Sequence, residues 1–269
     1  MTPAATGLSE ARPFAFDDGP AYELMMGRWS ALVAEPFLAW LGLPLGLAWL
    51  DAGCGDGSFT EILVRRQRPA SVVGVDPAPA QLAYARQRPA AAQVRYLQGD
   101  AQALPLPGNS TDVGVMALVL FFLADPAQGL RELTRVVRPG GTVAAYHWDI
   151  EGGGLPLQPV IAALRAEGYR SELPPSAWAA TQASSTALWR DAELVDVQTR
   201  QFEVHRRFVS FDDYWSAARG SPRLRALLAS ISVPEVERLS ERVRVQLGAD
   251  DSGPLVVKAR ANAIKGRRA

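Results

Sequence analysis

The run Asp51-Ala52-Gly53-Cys54-Gly55-Asp56-Gly57 sets three glycines two residues apart, directly behind the apolar stretch Leu47–Leu50. Glycine tolerates positive φ and lets backbone approach a ligand with no Cβ in the way, so such a turn suits a nucleotide-like ligand. Four acids narrow the chemistry. Asp76 ends the run Ser71–Val75, nineteen residues past Gly57. A carboxylate there can accept both ribose hydroxyls of an adenosine, and it repels a 2′-phosphate. Asp100, within Gly99-Asp100-Ala101, can accept a hydrogen bond from an adenine amine. Asp51 and Asp56 would serve a pyrophosphate poorly and a positively charged ligand well. His147, late in the run "TVAAYHW", titrates near neutrality and could take a phenolic or enolic proton; it could equally pack at a strand end. Asp149 is a second candidate or a capping acid, and His205 reads as a surface residue.

The elements that must carry these residues can be read from periodicity and punctuation. Apolar residues at helical spacing (Leu24, Leu32, Val33, Phe37, Leu41) predict a helix over Tyr22–Leu41, with a break at Pro36. Short apolar runs predict strands at Leu47–Asp51, Ser71–Asp76, "VRYLQGD", "TDVGVMALVL" and "TVAAYHW". Between them, Ser58–Gln67 shows one apolar face (Phe59, Ile62, Leu63), "PAQLAYARQR" reads as helix, and Asp125-Pro126 with Gln128 predicts a capped third helix. Strands alternating with helices at this spacing mean βαβ units in a parallel sheet. After Asp149 the rhythm changes. Glu151–Gly154 reads as a flexible glycine-rich break, and Leu155–Leu188 and Phe211–Leu247 read as helical insertions. "LVDVQTRQFEV" reads as a sixth strand and "PLVVKARA" as a seventh, whose alternation of Val257 and Ala259 with Lys258 and Arg260 predicts a place near a sheet edge.

Composition bounds the partners. The 269 residues are 48% hydrophobic, and lysine plus arginine equal aspartate plus glutamate at 28 each, so no overall field draws the molecule to nucleic acid. Cys54 is the one cysteine and there are two histidines, which predicts neither a disulfide nor a metal site. The N-terminal residues lack a signal-peptide pattern and no apolar run reaches the ~20 residues of a membrane span. The expectation is a soluble cytoplasmic protein, monomer or homodimer.

The pieces "LDAGCGDG", "VVGVDPAPAQLAYAR", "YLQGDAQALPLPGNSTDV" and "ELTRVVRPGGTV", in this order, resemble the class I S-adenosylmethionine-dependent methyltransferases. Within these the likeness is to the small-molecule group containing the ubiquinone and menaquinone biosynthesis enzymes; it covers Ala48–Asp149. The resemblance implies an α/β, Rossmann-like doubly wound sheet of seven strands, the last antiparallel, with helical cap insertions. It implies one domain in three stretches: 1–46 as arm and cap, 47–150 as donor-binding core, and 151–269 as the remaining strands with acceptor-site insertions. It implies S-adenosyl-L-methionine as cofactor. The donor's aminoacyl part would lie along Gly53, Gly55 and Gly57 with Asp51 near its ammonium. Asp76 and Pro77 would hold the ribose, Asp100 and Ala101 would flank the adenine, and Leu118 at the end of the fourth strand would complete the pocket. "AYELMMGRWS" also looks like a bacterial subgroup in which Arg28 could grip the donor carboxylate and Tyr22 close over it; Arg28 could instead solvate a helix face. Relatives often carry a polar residue where Phe121 and Phe122 stand, so that segment is expected to be an apolar wall. The acceptor would be a small molecule, flat or apolar, met by aromatics of the insertions (Tyr169, Trp178, Trp189, Tyr214, Trp215), which could equally be the cap's own core. Two other readings stand beside this one: an NAD-dependent oxidoreductase, for which the spacing G-x-G-x-G is wrong, and a non-catalytic donor-binding homologue.

Overall fold

The computed structural model describes residues 27–169, 173–250 and 253–269, with the backbone alone at 222 and 223. Seven strands form one sheet: β1 (Ala48–Ala52), β2 (Ser71–Asp76), β3 (Val94–Gln98), β4 (Thr111–Ala117), β5 (Val137–Trp148), β6 (Leu194–Phe208) and β7 (Leu255–Arg268), in the order β3-β2-β1-β4-β5-β7-β6. β1 to β5 pair in parallel, and β7 runs antiparallel to both β5 and β6. The strand order reverses between β1 and β4, which opens a crevice at the carboxyl ends of those two strands.

Helices cover both faces. α1 (Arg28–Leu41), α2 (Ser58–Gln67), α5 (Gln158–Ala166), α7 (Phe211–Arg219) and α9 (Val233–Leu247) share one core with Val113, Tyr146 and Trp148. α4 (Pro126–Val136) and α6 (Gln182–Asp191) bury Leu130, Leu133 and Trp189 against Met116, Val143 and Ala145 on the other. α3 (Pro79–Ala85) seats Leu82 and Ala85 on Tyr96, and α8 (Pro222–Ser230) lies between α7 and α9. Asp125 caps α4 by accepting from Gln128 N at 2.9 Å, with Pro126 at the first helical position, as its sequence predicts. Among the described residues no helix is long and apolar enough to cross a membrane.

Two expectations are corrected and one is sharpened. Pro36 does not end α1, which continues to Leu41 because Val33, Phe37, Leu38 and Leu41 make one buried stripe. The Leu32 carbonyl deprived of an N–H partner belongs to an exposed residue, where water can serve it. α1 then stops at Gly42, in the left-handed region, and Lys265 Nζ donates to the carbonyls of Trp40 and Leu41 at 3.0 and 3.2 Å. β7 does lie near a sheet edge, one strand in from β6: its alternating half, Leu255–Arg260, pairs with β6 alone, projecting past the end of β5, while Ala261–Arg267 lies between β5 and β6. The alternation thus marks a ribbon with one wet face.

The second correction concerns Glu151–Gly154, which is pinned rather than loose. Asp149 accepts from Gly152 N (3.1 Å), Arg260 Nη2 (3.0 Å), Asn262 Nδ2 (3.4 Å) and Gln201 Nε2 (3.5 Å). Backbone bonds Asp149 N to Arg260 O (2.9 Å) and Arg260 N to Gly154 O (2.9 Å) close the loop on β7. The glycines serve close approach here: a Cβ on Gly152 would run into the Asp149 carboxylate, and one on Gly154 would lie 2.8 Å from Arg260 O.

Candidate functional site

The glycine turn leaves β1 at Ala52 and folds back over β2, Gly53 N and Cys54 N both donating to Val75 O at 2.7 and 3.0 Å. Gly53, Gly55 and Gly57 all have positive φ (79°, 53° and 80°), which an L side chain would strain. Their surroundings differ. A Cβ on Gly53 would strike Val119, and one on Gly57 would lie 2.9 Å from the Tyr96 hydroxyl, whereas one on Gly55 meets nothing within 4 Å. Gly53 and Gly57 therefore serve packing, and Gly55 opens onto free space at the crevice.

Asp76 joins the turn to β2. Its Oδ2 accepts from Gly55 N at 2.9 Å and its Oδ1 from Ala78 N at 2.9 Å, and burial raises its pKa. Asp51 is completely buried. Its Oδ2 accepts from Thr60 Oγ1 at 2.6 Å, while Oδ1 has no partner among the described residues. Burial, with the neighbouring charges of Asp76 and Asp56, pushes it up to about 7 from an ordinary 3.8. An unpartnered, buried carboxylate oxygen beside an open backbone cradle is a seat for a cationic group.

Asp56 does not share that task. It accepts from Ser58 N (3.0 Å) and Ser58 Oγ (2.9 Å) at the start of α2 and pairs with Arg88 Nη2 (2.8 Å), which also reaches Glu61 (3.1 Å). Its sequence position between the glycines suggested a ligand role; its contacts make it a brace for the turn. Asp100 is exposed, folded onto Gln102 N at 2.8 Å, and is tied to Asp76 through Gly99 N and Asp76 O at 3.1 Å. Ala101 is buried behind it and Pro77 is exposed beside Asp76. Leu118 adopts φ 62°, donates to Tyr146 O at 2.8 Å, and delivers Val119 onto Gly53, so the end of β4 walls the turn. Phe121 is buried and Phe122 half-buried, their rings 4.3 Å apart, in the helical turn Leu120–Phe122.

Arg28 is exposed at the start of α1, near enough to Arg206 of β6 for the two charges to repel. Tyr22 falls outside the described residues. His147 has no exposed surface, neither ring nitrogen has a partner among the described residues, and burial lowers its pKa to about 4. The expected base open to the crevice is thus not what β5 presents; the ring is neutral and enclosed. Of the aromatics in the insertions, Tyr214 and Trp215 are core beneath the insertion helices, Trp189 is buried against the other face of the sheet and donates to Val143 O at 3.2 Å, and Trp178 is 49% exposed. Trp178 stands on a turn, Ala177–Ala180, fastened to the end of β4 by Ser176 N to Phe121 O and Ser176 Oγ to Leu123 O. Sequence reasoning missed Thr60, Tyr96 and Val119, the residues that hold the turn from below and beside.

Residues 50–145, which contain this turn and its braces, match the family described as "Methyltransferase domain". The chain is 43% identical over 107 residues to a 2-phytyl-1,4-naphtoquinone methyltransferase of Thermosynechococcus vestitus, covering 39% of this chain and 48% of that one. It is 44% identical over 94 residues to a malonyl-[acyl-carrier protein] O-methyltransferase of Serratia marcescens, covering 35% of each. The chain spans about half or less of the length of these relatives. In three dimensions it resembles phosphoethanolamine N-methyltransferase 2 of Haemonchus contortus in complex with S-adenosyl-L-methionine, with TM-score 0.55 and 17% identity over 93% of this chain and 56% of that one. That likeness is one of fold, a Rossmann-like sheet flanked by helices.

Proposed function

We propose that this protein is an S-adenosylmethionine-dependent methyltransferase acting on a small organic acceptor. The observation that carries the reading is the pairing of Asp51 Oδ1, buried and unpartnered, with the open cradle at Gly55. The residues fit the donor. Asp51 would hold its ammonium, the backbone along Gly53–Gly57 its aminoacyl part, Asp76 its ribose hydroxyls, and Asp100 with Ala101 its adenine. The donor supplies a methyl group on a sulfonium that is already an activated leaving group. What remains for this chain is alignment in a site closed to water, since an in-line displacement gains most from orientation. The wall from Leu118 to Phe122, apolar and rigid, suits that work, and Trp178 on the turn fastened to it offers an aromatic surface for a flat acceptor. The named relatives act on a naphthoquinone and on a malonyl carrier, and the apolar wall here favours a flat, apolar acceptor of the first kind.

Titration calorimetry with S-adenosylmethionine, S-adenosylhomocysteine and NAD tests the reading. The first two should bind and NAD should not; binding of NAD alone would restore the oxidoreductase reading, and binding without methyl transfer to any quinone or phenol would leave a donor-binding homologue. Gly55→Ala should weaken donor affinity at least tenfold while destabilising the fold by only ~1 kcal/mol, because its Cβ strains φ but enters empty space.

A further inference from the structure

The glycine turn stands on a buried ring from β3 and a buried hydroxyl from α2. Gly74 in the middle of β2 has no side chain, and the Tyr96 ring fills the space: a Cβ there would lie 2.8 Å from the ring. The ring thereby crosses β2 and brings its hydroxyl under Gly57, 2.9 Å from where a Cβ would stand. On α2, Thr60 Oγ1 donates to Asp51 Oδ2 at 2.6 Å. That bond satisfies Oδ2 and leaves Oδ1 without a partner among the described residues.

We propose that Thr60 is a positioning residue for the methyl donor, holding the Asp51 carboxylate ionised and turned so that Oδ1 faces the donor's ammonium. The inference rests on the donor-binding reading above. No charge with a strong hold on Asp51 competes for the role. Asp76 and Asp56 repel it, Cys54 is buried with its thiol pushed up, and Arg88, the cation beside the turn, pairs with Asp56 and Glu61. A hydrogen bond donated to a charged acceptor in a dry site is a strong one, so the threonine's hydroxyl favours the ionised form.

The test is calorimetric titration of S-adenosylhomocysteine, which retains the ammonium, into wild type and variants from about pH 5 to 9. Wild-type affinity should fall as pH drops below about 7, where Asp51 takes up a proton. Thr60→Val, nearly isosteric, should cost about tenfold in affinity at pH 7 and move that midpoint to higher pH, since the ionised form has lost its donor. Thr60→Ser should restore both. A purely structural role would lower affinity alike at every pH. An unmoved midpoint in a folded, binding Thr60→Val protein overturns the inference and leaves the donor reading standing. Wild type that does not bind S-adenosylhomocysteine overturns both.

Discussion

In the proposed donor-binding role, Asp51 would serve a ligand at the expense of the fold. Its folded pKa, about 7, lies above the ordinary 3.8, so its contribution to stability is full below about 4 and is lost as pH rises through 7. The loss is worth up to about 4 kcal/mol. Asp51→Asn should therefore raise the melting temperature at pH 8, change it little at pH 4, and abolish donor binding; thermal scans at the two pH values with a parallel titration would show this. A variant no more stable at pH 8 would mean that Asp51 is ionised at no cost. Asp51, the glycines and Asp76 were legible in the sequence because a strand and its turn are contiguous and their spacing is fixed by backbone geometry. Thr60 and Tyr96 were not. Their role requires knowing that β3 lies beside β2 and that Gly74 leaves a hole for a ring from the neighbouring strand.

Among the elements, the helices and the first five strands follow from periodicity and caps to within a few residues, as Ser58–Gln67 and Ser71–Asp76 show. The sequence pattern failed where tertiary partners decide. Glycines at 152–154 suggest looseness, but a glycine is equally needed where a carboxylate packs against backbone, and only Arg260, Asn262 and Gln201 from two distant strands reveal which applies. Gly152→Ala should cost about 2–3 kcal/mol in urea unfolding, since its Cβ meets an Asp149 held by four donors that cannot swing aside. An unchanged midpoint would show the loop to be as loose as its composition suggests.

For the whole molecule, two enclosed groups titrate in opposition. His147, lowered to about 4 from 6.5, contributes stability that is full above 6.5 and lost as pH falls through 4, up to about 3 kcal/mol. Asp51 gains over nearly the same interval. Wild-type stability should thus be flat between about pH 4 and 7 as far as these two are concerned. His147→Leu, close in volume and free of unpartnered nitrogens, should be more stable, most of all near pH 4, with donor affinity unchanged. A variant that loses stability at pH 4 would show that the imidazole has a partner there. The order of the strands has a further consequence, for synthesis on the ribosome. β6 is made before β7 but has no neighbour in the sheet except β7, and three helices are made in between. The nascent chain must carry a fifteen-residue unpaired strand until β7 emerges and threads between β5 and β6. That interval, when an edge rich in alternating apolar residues stands open, is when this protein most needs a chaperone.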